Sequence, residues 1–532
     1  MLRDIKLNET KIITCVLAIL VSGYSCSELV DENPISEIGP ANFYKNNSDL
    51  EAGVIAAYDG MQGTYSDKTF FWGEFRSDNF HPEGGSSSQT ALEILNNDLT
   101  QSNPGSRWDR FYRMIDRANQ VIANAPKIDN FNQNFLGEAL AIRAKAYFDA
   151  VRVWGDVPLF IEPVQFLSDA TKPATDANTI INEVILPDMI RAEELILTTE
   201  DNFRFSKSSV LALQAEVYMW LNEYAKAKAA IEQIIAFNEY SLVTTPVAWE
   251  ELFHNTPIGS GIEGAKGKIQ KGSELIMSIR YDIEEDRDYG GTRNNRSGIR
   301  GLFFAGIPSY FISPIVENKW REKFPVDSLG WVSKYPNTNP ALTQILFEDD
   351  GMGGITEREV PVYGDWRYYF CREGRVQNFD SKEIGEARCA KWTLSNFSSN
   401  EDDTDIVLYR YADMLLLLAE AENYLDNNVR ALELINEIRI ARQLPTVSGT
   451  EFGATKEERL NYILDERQLE LFGEGKRWWD LVRNDKAMEV LNPILEAREG
   501  GQPLTEPRLL WPIHVEHLTE NTLLEQNTGY KF

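Results

Sequence analysis

Three stretches of the chain repeat one spacing: Ala144 precedes Tyr147, Ala215 precedes Tyr218, and Ala421 precedes Tyr424, each by three residues. Behind the last two follows a second segment with matching steps, Ala227, Ile231 and Ile234 in one and Ala431, Ile435 and Ile438 in the other. Such units of about 34 residues are helix-turn-helix pairs, in which an alanine on the first helix lets the second approach closely. The repeat commits the chain to a mainly α fold, a tetratricopeptide-like helical repeat scaffold. A weaker copy begins near "LEAGVIAAYDGMQ", residues 50–62.

Helical periodicity extends beyond the repeats. Leu140, Ala144, Tyr147, Phe148, Val151 and Trp154 form one apolar stripe, which Gly155 can end, with Pro158 just beyond. Thr455 and Glu458 have the spacing of a capping box, and Leu460, Ile463, Leu464, Arg467 and Leu471 follow on one face. The texture changes between Ile234 and residue 405, which are rich in Gly, Asn, Asp, Pro and aromatics. "RDYGGTRNNRSGIRG" and "GWVSKYPNTNP" read there as loops. A large loop-rich insertion on a rigid helical frame is where function is expected.

At the amino terminus, "IITCVLAILVSG" is an apolar run preceded by Arg3, Lys6 and Lys11. It is too short to span a bilayer and fits the core of an export signal. Small residues Ser22, Gly23 and Ser25 then lead into Cys26 and an acidic, polar segment. This is the order of a lipoprotein signal, with Tyr24 at a position that usually holds a small residue. Cys26 is therefore the expected lipidation site, tethering the chain to a membrane surface without spanning it.

The formal net charge of −29 argues against nucleic acid as a partner, because phosphate backbones are bound by clustered Lys and Arg. No phosphate loop, dinucleotide fingerprint or Ser-His-Asp pattern appears, and no cofactor is expected. His514 and His517 lack a third metal ligand nearby. "FEDDGMGGITE", residues 347–357, is oxygen-rich but lacks EF-hand spacing, so a solvated loop is the simpler reading and no metal is expected. Cys371 and Cys389 could be joined in an exported protein, or be two free, partly buried thiols. Asp465, Glu466, Glu470 and Glu474 stand among Arg467, Lys476 and Arg477, which favours ion pairing over glycosidase chemistry.

Six ordered blocks together resemble the SusD/RagB family of Bacteroidetes outer-membrane lipoproteins. They are "CSELVDENP", "RAKAYFDAVRVWGDVPLF", "VLYRYADMLLLLAEAENYL", "ALELINEIRIARQLP", "ILDERQLELFGEGKRWWDLVR" and "LLWPIHVEHLTENTLLEQNTGY". The resemblance weakens between about residues 240 and 335. It implies a lipid-anchored binding protein, not an enzyme, facing the cell exterior as a lid on a SusC-like TonB-dependent transporter. Ligands of such proteins are usually glycans, with some relatives taking peptides. Glu28, Asp31 and Glu32 resemble the export signal of that family, and Trp478 and Trp479 fall in its framework. The expected organisation is a signal peptide at 1–25, a flexible lead at 26–41, and one SusD-like domain at 42–532. Within that domain the scaffold takes about 42–240 and 405–490, the insertion about 241–404, and a packing tail 491–532.

A glycan site needs flat aromatic faces for the C–H sides of sugar rings, flanked by planar polar groups. In "TFFWGEFRSDNFHPEGG", residues 69–85, Phe71 and Phe75 have core spacing, which leaves Trp72, Asn79 and Phe80 as ligand candidates. In the insertion the candidates are Tyr289, Asn294, Tyr310, Trp320, Trp331 and Tyr335, because an aromatic in a Gly- and Asn-rich loop is harder to bury than one in a helix stripe. Arg293 and Arg296 would instead suit a carboxylate, which keeps a peptide or another non-glycan nutrient as the alternative ligand.

Overall fold

The computed structural model describes residues 43–82, 87–253, 270–281, 298–304, 309–349, 355–373, 383–392 and 404–530. The expectations for Cys26, the signal and lead, Tyr289, Asn294 and the tip of the acidic 347–357 stretch lie outside these residues. The frame is mainly helical and tetratricopeptide-like. Helix Asn47–Tyr65 packs on Asp109–Asn124, Gln133–Trp154 on Leu186–Leu195, Lys207–Trp220 on Tyr224–Phe237, and Tyr411–Tyr424 on Asn428–Ala441. Ala144, Ala215 and Ala421 are all fully buried, as close helix approach requires. Adjacent pairs also meet: Tyr224 and Tyr424 stack with ring centroids 4.1 Å apart and planes 4° from parallel.

Local signals set the helix ends. Asn46 accepts from the backbone of Ser48 and Asp49, while Asp49 returns the bond to the Asn46 N–H. Thr455 and Glu458 form the expected capping box on Lys456–Glu470. The helix Gln133–Trp154 stops at Gly155, whose φ of +77° favours glycine. That helix departs from its simple stripe, because every residue from Gly137 to Trp154 is buried. Its charged residues are accommodated in pairs, Arg143 with Asp188 at 2.7 Å and Lys145 with Asp149 at 2.6 Å.

The insertion is less loop-like than expected. Ser313 caps helix Pro314–Lys323, Asp327 caps helix Ser328–Lys334, and an antiparallel hairpin pairs Leu342–Asp349 with Ile355–Val362. "GWVSKYPNTNP" is thus half helix, and the described ends of the acidic stretch belong to the two paired strands. Strand Leu275–Ile279 pairs with Ile406–Arg410, which leads directly into helix Tyr411–Tyr424, and Phe80–His81 pairs with Phe311–Ile312. One contiguous apolar core runs through frame and insertion, from Leu50 to Trp320, Trp392 and Tyr530. No described helix is long and apolar enough to cross a membrane.

Candidate functional site

Six of the expected ligand contacts are core residues. Trp72, Asn79, Phe80, Tyr310, Trp320 and Trp331 are each at most 3% exposed. Trp72 donates its indole N–H to the Gly105 carbonyl at 2.9 Å and meets Trp154 edge to face. Asn79 donates to Glu74 at 2.7 Å and accepts from Gln468 at 2.8 Å. Phe80 stacks on Phe472, and Tyr310 stacks on Phe75 with centroids 3.6 Å apart. Trp320 donates to Asp365 at 2.8 Å and Trp331 to the Thr338 carbonyl at 2.7 Å, so both indoles are satisfied inside the protein.

The reason is local. Ser313 followed by Pro314, and Asp327 followed by Ser328, are helix-start signals that turn the two tryptophans from loop residues into helix residues with an inward face. Val316 and Trp320, four apart, are both buried on the first of these helices. Phe71, Phe75, Trp478 and Trp479 are buried, as expected of packing residues.

Tyr335 differs from the six. Its hydroxyl donates to the Lys323 carbonyl at 2.7 Å, its ring meets Trp331 edge to face at 5.2 Å, and it stays only half-buried. Half-buried Tyr363 and Tyr462 belong to the same corner, with Lys323 Nζ 4.2 Å from the Tyr462 ring centre. Just outside it Leu329 is 83% exposed on helix Ser328–Lys334. Tyr335 and Tyr462, half-buried with hydroxyls held by the Lys323 carbonyl and by Glu451, can offer ring faces to a hydroxylated ring, while Lys323 itself is paired with Glu466 at 3.2 Å.

The carboxylates of helix Lys456–Glu470 are ion-paired, as their arginine-rich surroundings suggested. Glu470 takes Arg367 at 2.6 Å, Arg410 at 2.6 Å and Arg442 at 2.8 Å, all without solvent exposure. Burial raises the Glu470 carboxyl, but Arg442, Arg410 and Arg367 outweigh it and hold it well below the usual carboxylate range. Glu474 is held low in the same way by Arg410 and Lys391, and Asp465 pairs with Lys319 at 2.8 Å. Glu470 and Glu474 are thus not raised, open carboxyls of the kind that donates a proton to a glycosidic oxygen. Asp365, Arg367 and Lys391 come from the insertion, so the network keys the insertion to the frame.

Cys371 and Cys389 are free and buried, and burial pushes the Cys371 thiol up to about 12. Among the described residues no group of three or more His, Cys, Asp or Glu is placed to hold a metal ion.

A model of the SusD family matches residues 319–530, and one described as starch-binding associating with outer membrane matches 29–219. The SusD-like protein P38 of Formosa agariphila is 43% identical over 514 residues, covering 95% of this chain and 96% of that protein. The chain belongs to the SusD family. SusD-family structures share the fold. B. fragilis NanU has a TM-score of 0.65 at 22% identity, covering 94% of this chain and 100% of that one. A laminarin-binding SusD-like protein has a TM-score of 0.63 at 22% identity, covering 92% of this chain and 100% of its own. The family is one of binding proteins associated with the outer membrane.

Proposed function

We propose that this SusD-family protein captures oligo- or polysaccharide at the cell surface and passes it to a SusC-like TonB-dependent transporter, over which it acts as a lid. Its anchor is a lipid on Cys26, and it faces the cell exterior on the outer membrane. The observation that carries the reading is the 43% identity along nearly the whole chain to a SusD-like protein. The family description as starch-binding and the laminarin-binding structural relative support a glycan as ligand. Tyr335 is the described member of the binding face, with Tyr289 and Asn294 as its proposed partners. The 26–41 lead is the tether and 42–532 one SusD-like domain.

Affinity electrophoresis and calorimetry against a panel of polysaccharides and peptides test this. Binding to at least one glycan class is expected, with weaker binding in Tyr335→Ala. Binding to peptides alone would replace the glycan reading with the peptide one. Recovery of a large TonB-dependent barrel with the protein from detergent extracts tests the partner, and its absence would remove the lid role.

A further inference from the structure

A cleft of about 660 Å³ opens on the frame, between helix Asp109–Asn124, the 158–171 segment and the C-terminal segment 517–524. Ligand pockets take about 300–1,000 Å³, so it is large enough for an oligosaccharide end. None of its lining comes from the insertion. One wall is a run of rings: Trp108 meets Tyr112 edge to face at 5.8 Å, and Tyr112 meets Phe160 at 5.5 Å. Hydrogen bonds fix these rings in place. Tyr112 donates to the Pro158 carbonyl at 2.8 Å, and the Phe160 N–H donates to Tyr147 at 2.7 Å. Asn521 donates to the Lys172 carbonyl at 2.7 Å and ties the C-terminal segment to the opposite edge.

His517 lies flat on Trp108, with centroids 5.1 Å apart. The Trp108 backbone N–H donates to His517 Nε2 at 3.0 Å, so that nitrogen is the acceptor and the ring proton sits on Nδ1. Burial lowers its pKa to about 4, which keeps the ring neutral at ordinary pH. The Nδ1–H has no acceptor among the described residues, and it is a fixed neutral donor on a residue that lines the cleft.

The charges sort the ligands. Asp116 uses Oδ1 for the Val164 N–H at 2.9 Å, and exposed Glu520 has no ion-pair partner among the described residues. Two cations beside the cleft have partners within the protein. Arg107 pairs with Asp109 at 3.0 Å and with Glu516 at 2.7 Å, while Lys172 donates to the Leu159 carbonyl and sits 4.6 Å from the Phe160 ring centre. A sulfated or uronic sugar would meet the carboxylates of Asp116 and Glu520 in the lining. Hydroxyls of a neutral sugar can donate to those carboxylates and accept from His517, while its C–H faces lie against the half-buried rings of Tyr112 and Phe160.

We propose that this cleft is a second glycan subsite, separate from the insertion, that takes the end of a neutral oligosaccharide. It rests on the glycan reading above. Two sites on one rigid frame hold one polysaccharide more tightly than either alone, because the second engagement is intramolecular.

The test uses the full mature chain with laminari-, malto-, xylo- and manno-oligosaccharides as neutral probes, a sulfated carrageenan oligosaccharide as anionic probe, and a basic peptide. Thr171→Trp fills the cleft from an exposed position and leaves the core untouched. For a neutral probe that binds, calorimetry is expected to give two sites in the wild type and one in Thr171→Trp. The same probe should shift the His517 ring nitrogens in NMR spectra of the wild type only. Affinity at the cleft should fall at least about tenfold in the variant, a loss of about 1.4 kcal/mol. If glycans bind with one site, and Thr171→Trp and the His517 resonances do not respond, the subsite is wrong while the glycan function stands. Movement of His517 by the sulfated probe or by the peptide alone overturns the ligand class. If none of the glycans bind, the subsite and the glycan reading fall together.

Discussion

Arg410 Nη1 donates to Glu470 Oε1 at 2.6 Å across 60 residues of sequence, with neither side chain exposed. Arg410 also reaches Glu274 at 3.0 Å and Glu474 at 2.8 Å, and Arg442 bridges Glu274 and Glu470 at 2.7 and 2.8 Å. A buried ion pair adds little net stability over a well-packed apolar pair, because desolvation offsets the attraction. Removing one partner is different, since it strands the others without water. The network therefore acts as a key: the insertion supplies Arg367, Asp365 and Lys391, and it fits only when all of them are met.

Glu470→Ala leaves three arginines short of their common acceptor and should destabilise the protein by about 3–5 kcal/mol. Urea unfolding followed by circular dichroism measures it. The same substitution at exposed Glu489 should change stability by less than about 0.5 kcal/mol. A loss at Glu470 no larger than at Glu489 would mean that water reaches the network and that it does not hold the insertion.

Trp320→Ala and Trp331→Ala test the correction to the site. Each removes a fully buried indole and a hydrogen bond, and each should cost about 3–5 kcal/mol in unfolding experiments. Glycan affinity per folded molecule should stay within about twofold in Trp320→Ala, a change under about 0.5 kcal/mol, whereas Trp331→Ala also removes the ring that Tyr335 packs on. A normal unfolding midpoint with abolished binding would return both residues to the ligand face.

How much was legible follows from where the physical constraint lies. Ala215, Tyr218, Ala227 and Ile231 announce a helix pair because close packing dictates residue size at fixed spacing, and the structure has that pair. The single apolar stripe of Gln133–Trp154 misleads for the opposite reason. Arg143, Lys145, Asp149 and Arg152 lie off that stripe, yet they are buried too, and each finds a partner from distant chain or one turn away. Trp320 and Trp331 were misplaced because Gly and Asn nearby outweighed the Ser313-Pro314 and Asp327 start signals. The cleft was illegible because Trp108, Phe160 and His517 meet only through tertiary packing, and no periodicity relates them.

The proposed anchor predicts a covalent mark. Metabolic labelling with a palmitate analogue should label the wild type and not Cys26→Ala, and the variant should leave the membrane fraction. Equal labelling of both would remove the tether and with it the lid geometry.

Acid should weaken the fold through groups of opposing sign. Burial lowers the His517 pKa from 6.5 to about 4, so between those values the unfolded chain binds a proton that the folded one refuses. Stability from this group is full above pH 6.5 and is lost as pH falls towards 4, and half-buried His81 and buried His514 shift in the same direction. Glu466 is lowered from 4.5 to about 2: burial raises it, but Lys323, Arg439 and Arg367 prevail. Asp78 is brought to about 2 by Arg477 against the same burial. Their contribution is present above the ordinary carboxylate range and is lost as pH falls towards 2. Glu74 has the opposite sign. Burial raises it to about 7, so its share is full at acid pH and is lost as pH rises through 7. Urea midpoints measured from pH 8 to pH 3 should therefore change little between pH 7 and 4.5, where Glu74 offsets His517, and fall below 4.5. His517→Gln leaves Glu74 less opposed and should make the midpoint rise from pH 7 to 4.5, and an NMR titration of the wild type should place the His517 midpoint near 4. A midpoint near 6.5 would mean that water reaches the ring, and that Trp108 does not hold it as a neutral donor.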